Sequence, residues 1–98
     1  MSEFREVDPR KLRVPSARRQ GADPAKLARQ ISLFGRSAVG MLPPWVYETS
    51  DGELVLYNGV TRATRIAKLA PGTLIRVEIV GKVPKSFAQE PTIGDVLP

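Results

Sequence analysis

Apolar residues recur along this chain at two different spacings. Between Asp23 and Gly35 they fall at Leu27, Ile31 and Phe34, the i, i+4, i+7 stripe of a helix, which Ala28 widens. Asp23 is a good N-cap, Pro24 suits the first helical position, and Gly35 can close the last turn in a left-handed conformation. A helix over about 23–34 is predicted. From Leu74 to Val80 the period is two: Ile75, Val77 and Ile79 on one face of a strand, Leu74, Arg76, Glu78 and Val80 on the other. Trp45–Glu48 and Leu54–Tyr57 flank the turn signal Ser50-Asp51-Gly52 and read as a β-hairpin. A second helix is expected from about Gly59 or Val60 to Ala70, with Ala63, Ile66, Ala67 and Ala70 as its small apolar face and Pro71-Gly72 as its stop. Before these elements, Phe4–Val7 reads as a short strand, Asp8-Pro9 as a breaker, Leu12–Val14 as extended chain and Pro15–Gly21 as a basic loop. Arg36–Met41 is a loop, and Pro43-Pro44 forces extended backbone.

This order of elements predicts an α+β fold, a small mixed sheet with two main helices. At 98 residues the chain fits one domain, with a thin core and a shallow site. The domain is placed at 1–81, followed by a tail over 82–98. That tail contains Pro84, Pro91 and Pro98. It either wraps over the domain through Phe87, Ile93, Val96 and Leu97 or is loose.

Charge narrows the partners. Fifteen Lys and Arg against ten Asp and Glu give +5 and a pI near 10.1, which attracts polyanions; the plain alternative is a soluble protein that happens to be basic. Cysteine is absent, which excludes disulfides and thiol chemistry, and histidine is absent, which removes the commonest general base and metal ligand. No apolar run approaches the roughly 20 residues of a membrane span, and the first residues lack the apolar segment of a secretory signal. A cytoplasmic location is expected.

The block Tyr57–Lys68 carries the chemistry: strand, glycine turn, helix. Helix starts present unpaired N–H groups and partial positive charge, so acids are usual there. This one has none and places Arg62 and Arg65 in the first two turns. Like charge at a positive helix end points to a bound anion. Phosphate would be held by the N–H groups, by Asn58 and Gly59 at the turn, by the Thr61 hydroxyl and by the guanidinium groups of Arg62 and Arg65. The competing reading is a solvated basic face. Arg10, Lys11, Arg13, Arg18 and Arg19 form a second phosphate-contacting surface or a solvated arm. Trp45 and Tyr57 are assigned to the core rather than to stacking on bases. Of the acids near the block (Glu48, Asp51, Glu53 and Glu78), Asp51 reads as a turn residue. Glu78 reads as an ion-pair partner of Arg76 before a catalytic carboxylate.

The sequence resembles the ParB partition protein and sulfiredoxin superfamily. The resemblance spans roughly residues 4–81 and rests on Phe34-Gly35, Pro43–Glu48, Asp51-Gly52, Gly59-Val60-Thr61-Arg62 and Arg76–Val80 in that order. Val60-Thr61 stands where partition proteins carry Glu-Arg, so only Gly59 and Arg62 carry over. The absent cysteine removes sulfinic-acid reduction. The variant Asn58–Ala63 and the ending Thr92–Pro98 are closer to ParB-like modules at the C-terminal ends of bacterial polymorphic toxins. That resemblance implies a nucleic-acid- or nucleotide-binding module with DNase-type phosphodiester cleavage. It could also reach a target-cell cytoplasm as part of a larger toxin. Arg62, Thr61 and Glu78 are the catalytic candidates, and the cofactor is either none or a divalent metal such as Mg; Arg18, Arg19, Arg36, Ser37 and Lys68 are the nucleic-acid contacts. The rival readings are a non-catalytic DNA- or nucleotide-binding module and an interaction domain that meets an acidic immunity protein.

Overall fold

The computed structural model describes residues 3–98; Met1 and Ser2, counted within the expected 1–81 domain, lie outside the described residues. The fold is α+β. Four strands, β1 (Glu3–Val7), β2 (Trp45–Glu48), β3 (Leu54–Asn58) and β4 (Ile75–Lys82), form one sheet in the order β1-β4-β2-β3. β1 is antiparallel to β4, β2 antiparallel to β3, and β2 parallel to β4, so the sheet is mixed. Two helices, α1 (Pro24–Phe34) and α2 (Val60–Leu69), pack against each other. Among the described residues no helix is long and apolar enough to cross a membrane.

The alternation of β4 decides which face of the sheet is inside. Ile75, Val77 and Ile79 are buried and meet Val46, Leu56 and the α2 residues Val60, Ala63, Ile66 and Ala67 in one core. Removing these aliphatic side chains from water is the main drive for docking α2 on the sheet. The opposite face carries Arg76, Trp45 and Tyr57 at the surface.

Two connecting segments extend this frame. Arg13 pairs with β3 through Arg13 N–H to the Leu54 carbonyl and Leu56 N–H to the Arg13 carbonyl, both 2.9 Å. Its other edge meets the tail: Val14 N–H donates to the Pro91 carbonyl at 2.8 Å, and Ile93 N–H to the Leu12 carbonyl at 2.9 Å. Leu12, Val14 and Ile93 are all buried in the core. The tail is thus packed on the domain. Ile93 is its deepest anchor, while Val96 and Leu97 are partly buried against the core.

Three expectations are corrected. The α1 stripe is only partly used: Leu27 is buried, Ile31 half-buried and Phe34 54% exposed. α1 therefore touches the body mainly through its first turns. Trp45 and Tyr57 are not core residues. They are 43% and 62% exposed, because they lie on the sheet face away from α2. Finally, β4 starts at Ile75 rather than at Leu74, which is exposed in the turn.

Candidate functional site: a basic cleft at the start of α2

The chain leaves β3 at Asn58 and turns into α2 through Gly59, whose φ of +99° is the left-handed conformation that glycine adopts without strain. Gly59, not Asn58, is the N-cap, and the helix start has no side-chain cap and no acid in its first turn. The first intrahelical bond is Ala63 N–H to the Gly59 carbonyl at 3.0 Å. The N–H groups of Val60, Thr61 and Arg62 precede it and have no intrahelical acceptor. Thr64 serves the helix itself, its hydroxyl donating to the Val60 carbonyl at 2.7 Å.

A cleft of about 300 Å³ opens at this helix start. Asn58, Gly59, Thr61 and Arg62 line one side, and Arg18, Lys26 and Gln30 line the other. Three of its side chains are cations and none is a carboxylate. Lys26 and Gln30 stand four apart on α1 and so share the helix face turned to the cleft. Sequence reasoning overlooked both, because it read only the apolar stripe of that helix; their i, i+4 spacing was the available signal.

Arg62 and Gln30 line both this cleft and a second cavity of about 210 Å³, which Phe34, Val39, Met41, Leu42 and Arg65 also bound. The Nε of Arg62, like that of Arg65, is shut off from solvent and has no hydrogen-bonding partner among the described residues. Burial pushes the Arg62 guanidinium below its ordinary pKa. A group desolvated in this way is stabilised by an anion.

Arg65 is used differently from the expected clamp. It is 2% exposed, and its Nη1 donates to the Gly35 carbonyl at 2.8 Å and to the Ser37 carbonyl at 2.7 Å. Nη2 reaches Met41 Sδ at 3.4 Å, and the guanidinium carbon lies 5.4 Å from the centre of the Phe34 ring. Arg65 therefore ties α2 to the loop after α1. It is absent from the lining of the helix-start cleft.

The other candidates scatter. Arg18 reaches the cleft. Arg19 instead makes a two-pronged contact with Glu90, at 2.9 and 3.0 Å, which raises the guanidinium pKa and lowers that of the carboxyl. Arg13 is held by Glu53 at 2.9 Å and by the Glu90 carbonyl at 2.8 Å. Arg10 and Lys11 are exposed on a single 3-10 turn after β1. Arg36 and Ser37 are exposed on the loop after α1, where the Ser37 hydroxyl accepts from Val39 N–H at 3.1 Å. Lys68 lies in the last turn of α2, about 12 Å along the axis from its start, and donates to the Pro98 carbonyl at 2.9 Å.

Glu78 is on β4 in register with Trp45, on the face away from α2, and does not line the cleft. Nor does it pair with Arg76, whose guanidinium sits 4.2 Å from the centre of the Phe4 ring. Glu48 faces Arg5 and Lys82 at 3.6 and 3.9 Å. Asp51 accepts from the hydroxyls of Ser86 and Thr49, which hold its carboxyl below the usual range, as a turn residue would. Among the described residues, no three acids, histidines or cysteines gather into a metal-binding group.

No family model matches the sequence, and no curated protein and no solved structure matches it.

Proposed function

We propose that this chain is a binding module for nucleic-acid or nucleotide phosphate, of the ParB/sulfiredoxin-like kind that its sequence resembles. The carrying observation is the cleft at the uncapped start of α2, lined by Arg18, Lys26 and Arg62 and by no carboxylate. A phosphate there would accept from the free N–H groups of α2, from the Thr61 hydroxyl and from the Arg62 guanidinium, with Arg18 and Lys26 facing it across the cleft. The order of strands and helices is the order that the resemblance implies, and this supports the reading further.

DNase-type cleavage finds less support. A hard divalent ion such as Mg requires oxygen ligands, commonly carboxylates, and the cleft offers cations and amides instead. The site does not fit that cofactor. Arg62 and Thr61 would bind and orient a phosphate; neither is a base at neutral pH. Glu78, the expected third catalytic group, does not line the cleft.

The test is a binding and cleavage assay on purified protein with DNA, RNA and nucleotides, with and without magnesium. Salt-sensitive binding that Arg62→Ala removes, with the polymer left intact, is expected. Magnesium-dependent cleavage that Arg62→Ala abolishes would replace the binding reading with that of a hydrolase.

A further inference from the structure

We propose that the exposed aromatic face next to the cleft stacks the bases of a single-stranded nucleic acid whose backbone phosphate occupies the cleft. The inference rests on the phosphate reading and narrows it to single strands.

Tyr57 joins the two surfaces. It lines the cleft beside Asn58, and its ring lies parallel to that of Trp45, with 5° between the planes and 6.2 Å between the centres. Tyr47 meets Tyr57 edge-on at 5.5 Å. Tyr47 is itself pressed against the bare backbone of Gly81, where an added β-carbon would meet the ring at 3.0 Å. The group is therefore braced from beneath and open above. Rings this large normally go into a core. Here the core is aliphatic, and the aromatic pair is left in water on the opposite sheet face.

Two chemistries are thus adjacent: flat aromatic surface and unpaired positive charge. A single-stranded polynucleotide has both complements, a π-face on every base and a phosphate on every sugar. A duplex hides its base faces and would meet only the cations. An acidic protein would satisfy the cations but would leave the aromatic planes without a matching flat partner.

Trp45 is the single tryptophan of the chain, so its fluorescence reports on this face. The full chain is titrated with a deoxythymidine oligonucleotide of about ten residues, within the span of known single-strand sites. The same length of abasic strand, a duplex of that length and inorganic phosphate are titrated alongside. The expected result is quenching of Trp45 by the thymidine strand and an affinity at least about tenfold above that for the abasic strand or the duplex. Tyr57→Ala is expected to weaken the thymidine strand by about tenfold or more, while Tyr57→Phe keeps the wild-type affinity. Equal affinity for thymidine and abasic strands, or tighter binding of the duplex, overturns the single-strand inference and leaves the phosphate reading standing. Phosphate binding without any oligonucleotide binding also overturns it and leaves the aromatic face to a protein partner. Absence of binding to every probe at low salt overturns both. The comparison of wild-type affinities needs no variant to fold.

Discussion

The Arg62 guanidinium lies across the backbone of Gly59 so closely that a β-carbon on that glycine would meet Arg62 Nη2 at 2.9 Å. The same β-carbon would meet Pro44 Cβ at 2.8 Å and Pro44 Cα at 3.0 Å, and backbone cannot give way as a flexible side chain does. Turn and cation are therefore one unit. Glycine is required both for its positive φ and for the room it leaves. Gly59→Ala is expected to cost about 2 kcal/mol of stability from backbone strain and to displace Arg62 from the cleft. Chemical denaturation and phosphate titration of the same sample check the two effects together.

Arg62 and Arg65 divide the work of the helix start, and their variants should separate it. Arg65→Ala leaves the Gly35 and Ser37 carbonyls without their charged donor and is expected to cost about 3 kcal/mol. Arg65→Lys should not restore it, because one ammonium does not reproduce the planar fork. Arg62→Ala is expected to change the unfolding free energy by less than about 1 kcal/mol, because Arg62 does not hold two carbonyls as Arg65 does. Denaturant unfolding of the three variants decides this.

Salt dependence should distinguish cations that face the cleft from those already paired. Each phosphate contact contributes close to one unit to the slope of log affinity against log salt. Arg18→Ala, which removes a cleft cation, is expected to lower that slope by about 0.7 to 0.9. Arg19→Ala is expected to leave it unchanged, because Arg19 is bound to Glu90.

Much of the scaffold was legible because it follows from periodicity and punctuation. Ile75, Val77 and Ile79 alternate, and they are buried; Asp23, Pro24 and Gly35 bound α1 where the sequence places them. The site was legible only in part. Nothing local in the sequence says that Arg65 turns inward to the carbonyls of Gly35 and Ser37, 30 and 28 residues away, while Arg62, three residues earlier, turns to the cleft. That difference is set by the path of the loop after α1. Trp45 and Tyr57 were misread for a similar reason. Their hydrophobicity matches a core, but strand pairing assigns them to the face that α2 does not cover. The pairing of Arg19 with Glu90 joins residues from opposite ends of the chain and leaves no mark in either segment.

That last pair also sets a pH response. Hydrogen bonding from Arg19 holds the Glu90 carboxyl below its ordinary value of 4.5 in the folded chain. A carboxyl depressed by folding stabilises the fold above its unfolded pKa, and that stability is lost as pH falls through the folded value. Asp51 and Asp95, also depressed, act with the same sign from an ordinary value of 3.8. The thermal midpoint is therefore expected to fall below about pH 4.5. Glu90→Gln should have a lower midpoint at neutral pH and a shallower acid decline, measured by circular dichroism melts across pH.

The most direct measurement is a nuclear magnetic resonance titration of backbone amides with inorganic phosphate at low salt. The account predicts that the amide signals of Val60, Thr61 and Arg62 move saturably, with the Nε signal of Arg62 following them and Arg65 unaffected. Signals that stay fixed at the head of α2, or that move only on the exposed arm around Arg10 and Lys11, would contradict it.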